Sequence, residues 1–297
     1  MLGWLNVLCR GRPGSRDIPD GLWQPTLANF PFLAWLEEPD SAALRRLTGQ
    51  FLDSKEFHGA AGLRITDEIA VAIAAQACLP VLRISAPYRG LQWYSDFVGI
   101  VVHAGPIKAR RETIDEAGVV HRYDEVLTGE AMQDGPVTLS WQDVMDAGQS
   151  ARDGYNVVIH EFAHKIDMRD GTANGCPPLA AGFMGAPTAA AARKIWVAAL
   201  QCEYQDFCDK LSMAERFGGP AQWLDPYASE SMDEFFAVAS EAYFVNPQYF
   251  ARDFAALVPL FDAFFKPARP PDRSGRSATG QGTVPRSAGT PSRPRIR

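Results

Sequence analysis

Apolar residues along the chain fall into runs whose spacing predicts the elements. After Pro39-Asp40-Ser41, residues Ala43, Leu44, Leu47, Phe51 and Leu52 recur at helical spacing. Thr66-Asp67-Glu68 opens a second helix with a near-continuous Ala/Ile/Val face, which predicts a buried core helix ending near Pro80. The β-branched run FVGIVVHA between Asp96 and Ala104 predicts a strand. Gly118 separates RRETIDEA from VVHRYDEVL in a hairpin-like excursion, and Gly135-Pro136 precedes a further strand, VTLSW. Asp153-Gly154 turns the chain into the helix GYNVVIHEFAHKID. A Gly/Pro/Ala loop from about 171 to 187 leads to a long helix from Thr188 to about Met213, broken at Gly218-Gly219-Pro220. Helices over Asp233–Phe244 and Phe254–Phe265 close the pattern. Helices, then strands, then helices predict an α+β domain, mostly helical overall.

Composition divides the chain. From Lys266 onward eight basic residues face one acid, Asp272, among Pro, Gly, Ser and Thr. Such a segment buries too little apolar surface to offset its ordering entropy, so 266–297 is expected to be a disordered basic tail. With a formal net charge of -6 for the whole chain, the rest stands near -13. That body lacks the basic surface nucleic acid needs, and no direct nucleic-acid binding is expected. Residues 1–24 are expected to be poorly ordered. Residues 25–265 are expected to form one domain, with a helical part at about 25–95 and a catalytic part at about 96–265. The opening MLGWLNVLCRGRPGSR is too short to span a bilayer, and its charge follows the apolar stretch, unlike a signal peptide. The five cysteines contain no CxxC pair, which argues for reduced thiols and a cytoplasmic location.

The chemistry concentrates in His160-Glu161-Phe162-Ala163-His164, an HExxH motif. On a helix, residues i and i+4 share a face, so both imidazoles can reach one ion, and zinc accepts imidazole nitrogen. Glu161 beside that face can act as the base that activates water. Val157, Val158, Ile159, Phe162, Ala163 and Ile166 draw this helix inside, where a histidine pair without a ligand would carry a large desolvation cost. A third ligand is required. The apolar helix Asp233-Glu234-Phe235-Phe236-Ala237-Val238-Ala239-Ser240-Glu241 supplies two glutamates seven apart on about one face, and spacing alone does not choose between them. Asp167, three residues after His164, is a candidate buttress. No GxSxG occurs, and His58, His103 and His121 stand alone as ordinary polar or core residues.

The two segments IHEFAHKID and DPYASESMDEFFAVASEAYF together resemble the Mlc titration factor A family of bacterial zinc peptidases, over about residues 25–265. The resemblance implies a gluzincin-like domain, with a strand edge beside the active-site helix and VTLSW as that edge. It implies one zinc ion per chain, held by His160, His164 and Glu234, with Glu241 orienting a histidine. It implies that Tyr227, seven residues before Glu234, donates to the developing oxyanion. It further implies a cytoplasmic, aminopeptidase-like enzyme acting on a peptide or protein substrate, and binding to a transcriptional repressor of the Mlc type. The expected function is therefore zinc-dependent peptide hydrolysis with Glu161 as general base. The alternative is a regulatory protein that sequesters such a repressor, with zinc chiefly structural. An intact Glu161 favours catalysis, because a structural site has no use for a base.

Overall fold

The computed structural model describes residues 17–114 and 120–266. In chain order the helices are α1 (Asp20–Asn29), α2 (Asp40–Ser54), α3 (Asp67–Val81), α4 (Trp141–Ser150), α5 (Val157–Asp167), α6 (Ala189–Phe217), α7 (Met232–Val245), α8 (Pro247–Asp253) and α9 (Val258–Phe265). The strands are β1 (Glu56–Gly59), β2 (Gly99–His103), β3 (Ile107–Ile114), β4 (Val120–Leu127), β5 (Gly129–Ala131) and β6 (Val137–Ser140). The chain is α+β and mostly helical, as the order of its apolar runs predicts.

Helix α3 forms the centre. The Thr66 hydroxyl caps it by accepting from Ile69 N at 3.3 Å, and Asp67 and Glu68 sit where the helix dipole favours negative charge. Every residue from Ile69 to Val81 is buried. The one polar side chain among them, Gln76, donates to Ala72 O and accepts from Asn156 Nδ2 at 2.8 Å. That bond ties the core helix to the residue that caps α5.

The sheet runs β1-β2-β6-β5. Strands β1, β2 and β6 are parallel, and β5 pairs antiparallel with β6, Gly129 opposite Leu139 and Ala131 opposite Val137. VTLSW was expected to be the edge beside the active-site helix. It is instead interior, between β2 and β5, and the edge on that side is the three-residue β5. A β-branched run marks a strand but not its neighbours, which are set by pairings distant in sequence. Strands β3 and β4 form a separate antiparallel ribbon, with Ile107 opposite Leu127 and Ile114 opposite Val120, matching the expected hairpin.

The N-terminal boundary also moves. Residues 17–24 were expected to be poorly ordered, yet α1 begins at Asp20 and buries Trp23, while Ile18 is fully enclosed. Arg45 fastens this segment by donating from Nε to Ile18 O at 3.0 Å and pairing with Asp20 at 2.7 Å. Residues 1–16 and the tail from 267 lie outside the described residues. Among the described residues no helix is long and apolar enough to cross a membrane.

Candidate metal centre

Helix α5 carries the HExxH residues because three local features place it. Gly154 takes a left-handed φ of 79° at the turn before it, a conformation glycine adopts without strain. Asn156 caps the helix, its Oδ1 accepting from Ile159 N at 2.9 Å. Phe162 then anchors the rear face among Phe51, Tyr94 and Phe97, with ring centroids 5.7, 4.9 and 6.0 Å away. Helix α7 packs alongside. Ser231 caps it by accepting from Glu234 N at 3.3 Å, which puts Glu234 in the first turn facing the histidines. The apolar side of α7 is locked by Phe235 against Phe207 and Phe254, and by Phe236 against Trp196 and Phe261.

Three donor atoms converge between these helices. His160 Nε2 and His164 Nε2 lie 3.2 Å apart, and Glu234 Oε2 lies 3.1 Å from the first and 3.3 Å from the second. Ligands at about 2.0–2.1 Å around a tetrahedral centre sit roughly 3.3–3.4 Å from one another, so the triangle has the edge lengths of a zinc site. Three lone-pair donors held this close repel one another unless a cation or a proton lies between them. The residues present therefore fit a metal ion, and His160, His164 and Glu234 are the group that could hold it.

Glu241, the second glutamate of α7, stands outside that converging group. Its Oε1 accepts from His160 Nδ1 at 2.8 Å, and its Oε2 accepts from the backbone N–H of Asn156. With both oxygens engaged, Glu241 can hold the proton of His160 on Nδ1, with Nε2 turned to the other two donors. Asp167, the other candidate buttress, bonds neither histidine. Its Oδ2 accepts from Asn174 N and Gly175 N, both at 2.7 Å, and its buried Oδ1 has no hydrogen-bond partner among the described residues. Its contribution is to pin the loop after α5.

Glu161 is 4% exposed and lies against β5. Burial, only partly offset by His160 and His164, pushes its pKa up to about 7. Burial alone would raise Glu234 as well, but hydrogen bonds and charge attraction to His160 and His164 hold it well below the usual carboxylate range. The Tyr227 hydroxyl donates to Glu234 Oε1 at 3.2 Å, and its ring is 37% exposed at the mouth of the site. His58 is exposed and pairs with Glu56, remote from this cluster in sequence and bonding. His121 belongs to the ribbon, whose side chains lie outside the description.

Four contributing residues escape a sequence reading. Asn156 carried a signal, since an Asn before VVIHE is a helix cap. Tyr155, which donates to Thr128 Oγ1, Lys165, which donates to Met132 O, and Gly129, which lies against Glu161, carried none, because those partners are distant in sequence.

The chain matches the model of a family described as glucose-regulated metallo-peptidase M90 over residues 9–266. It is 33% identical over 254 residues to the Mlc titration factor A of Klebsiella pneumoniae strain 342, covering 85% of this chain and 87% of that protein. It is 32% identical over 244 residues to the protein of that name from Cronobacter sakazakii, covering 82% and 84%. With the Yersinia pestis strain Pestoides F protein of that name it shares 31% over 245 residues, covering 82% and 83%.

Proposed function

This chain belongs to the glucose-regulated metallopeptidase family M90, and from that premise we propose that it hydrolyses peptide bonds with one zinc ion held by His160, His164 and Glu234. The observation that carries the reading is the convergence of those three donor atoms beside a buried carboxylate, Glu161. Zinc, when bound, supplies a Lewis acid for the scissile carbonyl and lowers the pKa of water.

The protein's own groups do the rest. Glu161 takes a proton from the attacking water, whose oxygen adds to the scissile carbonyl carbon. The same carboxyl then delivers that proton to the departing nitrogen as the C–N bond breaks, leaving a carboxylate and an amine. In the metal-free chain burial raises the pKa of this carboxyl, and the charge of bound zinc would draw it back down. Tyr227 would turn its hydroxyl to the developing oxyanion, a role supported by its bond to Glu234 Oε1. Strand β5 ends the sheet, so its outer edge can hold an extended peptide through main-chain hydrogen bonds. We assign the enzyme a gluzincin-type site, an aminopeptidase-like preference and a cytoplasmic place of action. Among the described residues Cys78, Cys176, Cys202 and Cys208 are free thiols, which suit a reducing compartment.

The test is a peptide-library digest, with free and blocked N-termini, by wild type, metal-stripped protein and Glu161→Gln. Cleavage of free N-termini by the zinc form alone is the expected result. Wild-type turnover by Glu161→Gln would overturn the mechanism. The name of the relatives favours a second role, binding of a repressor of the Mlc type. Retention of that repressor by Glu161→Gln in a pull-down with purified components tests it independently of cleavage.

A further inference from the structure

Glu161 shares its volume with the backbone of strand β5. A Cβ placed on Gly129 would stand 2.4 Å from Glu161 Oε1, 2.7 Å from its Cγ and 2.8 Å from its Cδ. These separations are all shorter than any real carbon contact, and they involve both the carboxylate and the stem of the side chain. The Gly129 backbone is not left-handed, so it is space, not φ, that demands glycine here.

The strand cannot back away, because it is fixed at both ends. At the start, Thr128 Oγ1 accepts from the Tyr155 hydroxyl at 3.0 Å, and Thr128 O accepts from Ser140 N at 2.8 Å. Beyond its end, the buried Lys165 ammonium donates to Met132 O and, at 2.9 Å, to Gly135 O, clamping the turn between β5 and β6. Tyr155 and Lys165 flank the HExxH residues on the same stretch of chain. The edge strand is thus tied to the catalytic helix before and after Glu161. The base sits in the gap between them, which only a missing side chain leaves open.

We infer that Gly129 is a positioning residue for the general base: its missing side chain sets where the Glu161 carboxylate stands beside the edge strand. This inference rests on the peptidase reading. A methyl at position 129 displaces the carboxylate and leaves the metal ligands untouched, since Glu161 is not one of them. Displacing a base by about 1 Å costs roughly 100-fold in rate. The effect falls on kcat, because the β5 main chain that would hold the peptide stays paired to β6.

The experiment is a double-mutant cycle on the zinc-loaded full chain, with free amino-acid 4-nitroanilides and library-derived peptides as probes. Gly129→Ala is expected to keep one zinc per chain and a KM within about threefold, and to lose about 100-fold in kcat. In a Glu161→Ala background, read by its residual zinc-dependent turnover, the Oε1, Cγ and Cδ that the methyl would meet are gone. There the same methyl is expected to cost less than threefold. An unchanged kcat in Gly129→Ala overturns the inference. Equal losses in both backgrounds, a rise confined to KM, or loss of zinc or fold overturn it as well. Should the wild type hydrolyse none of the probes, the peptidase reading falls, and crystal structures of zinc-loaded wild type and Gly129→Ala decide the inference separately. A Glu161 carboxylate moved by about 1 Å supports it, and an unmoved one refutes it.

Discussion

Replacing Glu241 with glutamine changes one atom in the buttress behind the metal ligands, and the structure sets the size of the response. The carboxylate, 1% exposed, accepts from two donors, His160 Nδ1–H and the Asn156 N–H. A glutamine oxygen can serve one of them, but its NH2 then points at the other, donor against donor, with no water to intervene. A buried donor left unpaired costs about 1–3 kcal/mol, so the metal-free variant should unfold at lower denaturant by that amount. If the oxygen serves Asn156, His160 loses the partner that fixes its tautomer. Losses of that kind weaken metal binding about 10–100-fold, or roughly 1.4–2.7 kcal/mol. The assay is competition against a fluorescent zinc chelator at neutral pH, paired with denaturant unfolding of both metal-free proteins. Zinc affinity within threefold of wild type would refute the account of Glu241 as the group that readies His160. Glu234→Ala, which removes a donor atom outright, should lose far more affinity than Glu241→Gln.

Three further outcomes follow from the geometry. Phe162→Ala, emptying a site among Phe51, Tyr94 and Phe97, should destabilise the chain by about 3–5 kcal/mol in equilibrium unfolding. The folded pKa of Glu161, about 7, lies above its ordinary 4.5; its contribution is complete below about pH 4.5 and is lost as pH rises through 7. Metal-free wild type should therefore lose about 2.5 kcal/mol relative to Glu161→Gln between pH 5 and 8, and equal slopes in unfolding titrations would contradict this. Tyr227→Phe should lower kcat by about 100–1,000-fold with zinc content unchanged, read by steady-state kinetics and metal analysis.

Much of this architecture can be read from local signals, and what cannot has a physical cause. Thr66 and the apolar run behind it specify α3 because capping and burial act within a few residues of chain. The histidine pair is legible for the same reason, as i and i+4 must share a helix face. Helix α1 hides because Gly21 and Pro25 give DGLWQPTLAN the look of a loop, while the contact that holds it, Arg45 to Ile18 O, spans 27 residues. The choice between Glu234 and Glu241 is closed to spacing, since both lie on one face of α7. Only the engagement of both Glu241 oxygens by α5 and its cap separates them. The edge position of β5 is equally non-local, as three residues beginning with glycine carry almost no strand signal.

Anomalous diffraction from a crystal of the full chain grown with zinc would locate the ion between α5 and α7. The expected result is one zinc peak about 2.0–2.2 Å from His160 Nε2, His164 Nε2 and a Glu234 carboxylate oxygen, with Glu161 alongside and not bonded to the ion. A peak ligated by Glu241 in place of Glu234, or no peak between the two imidazoles, would contradict it.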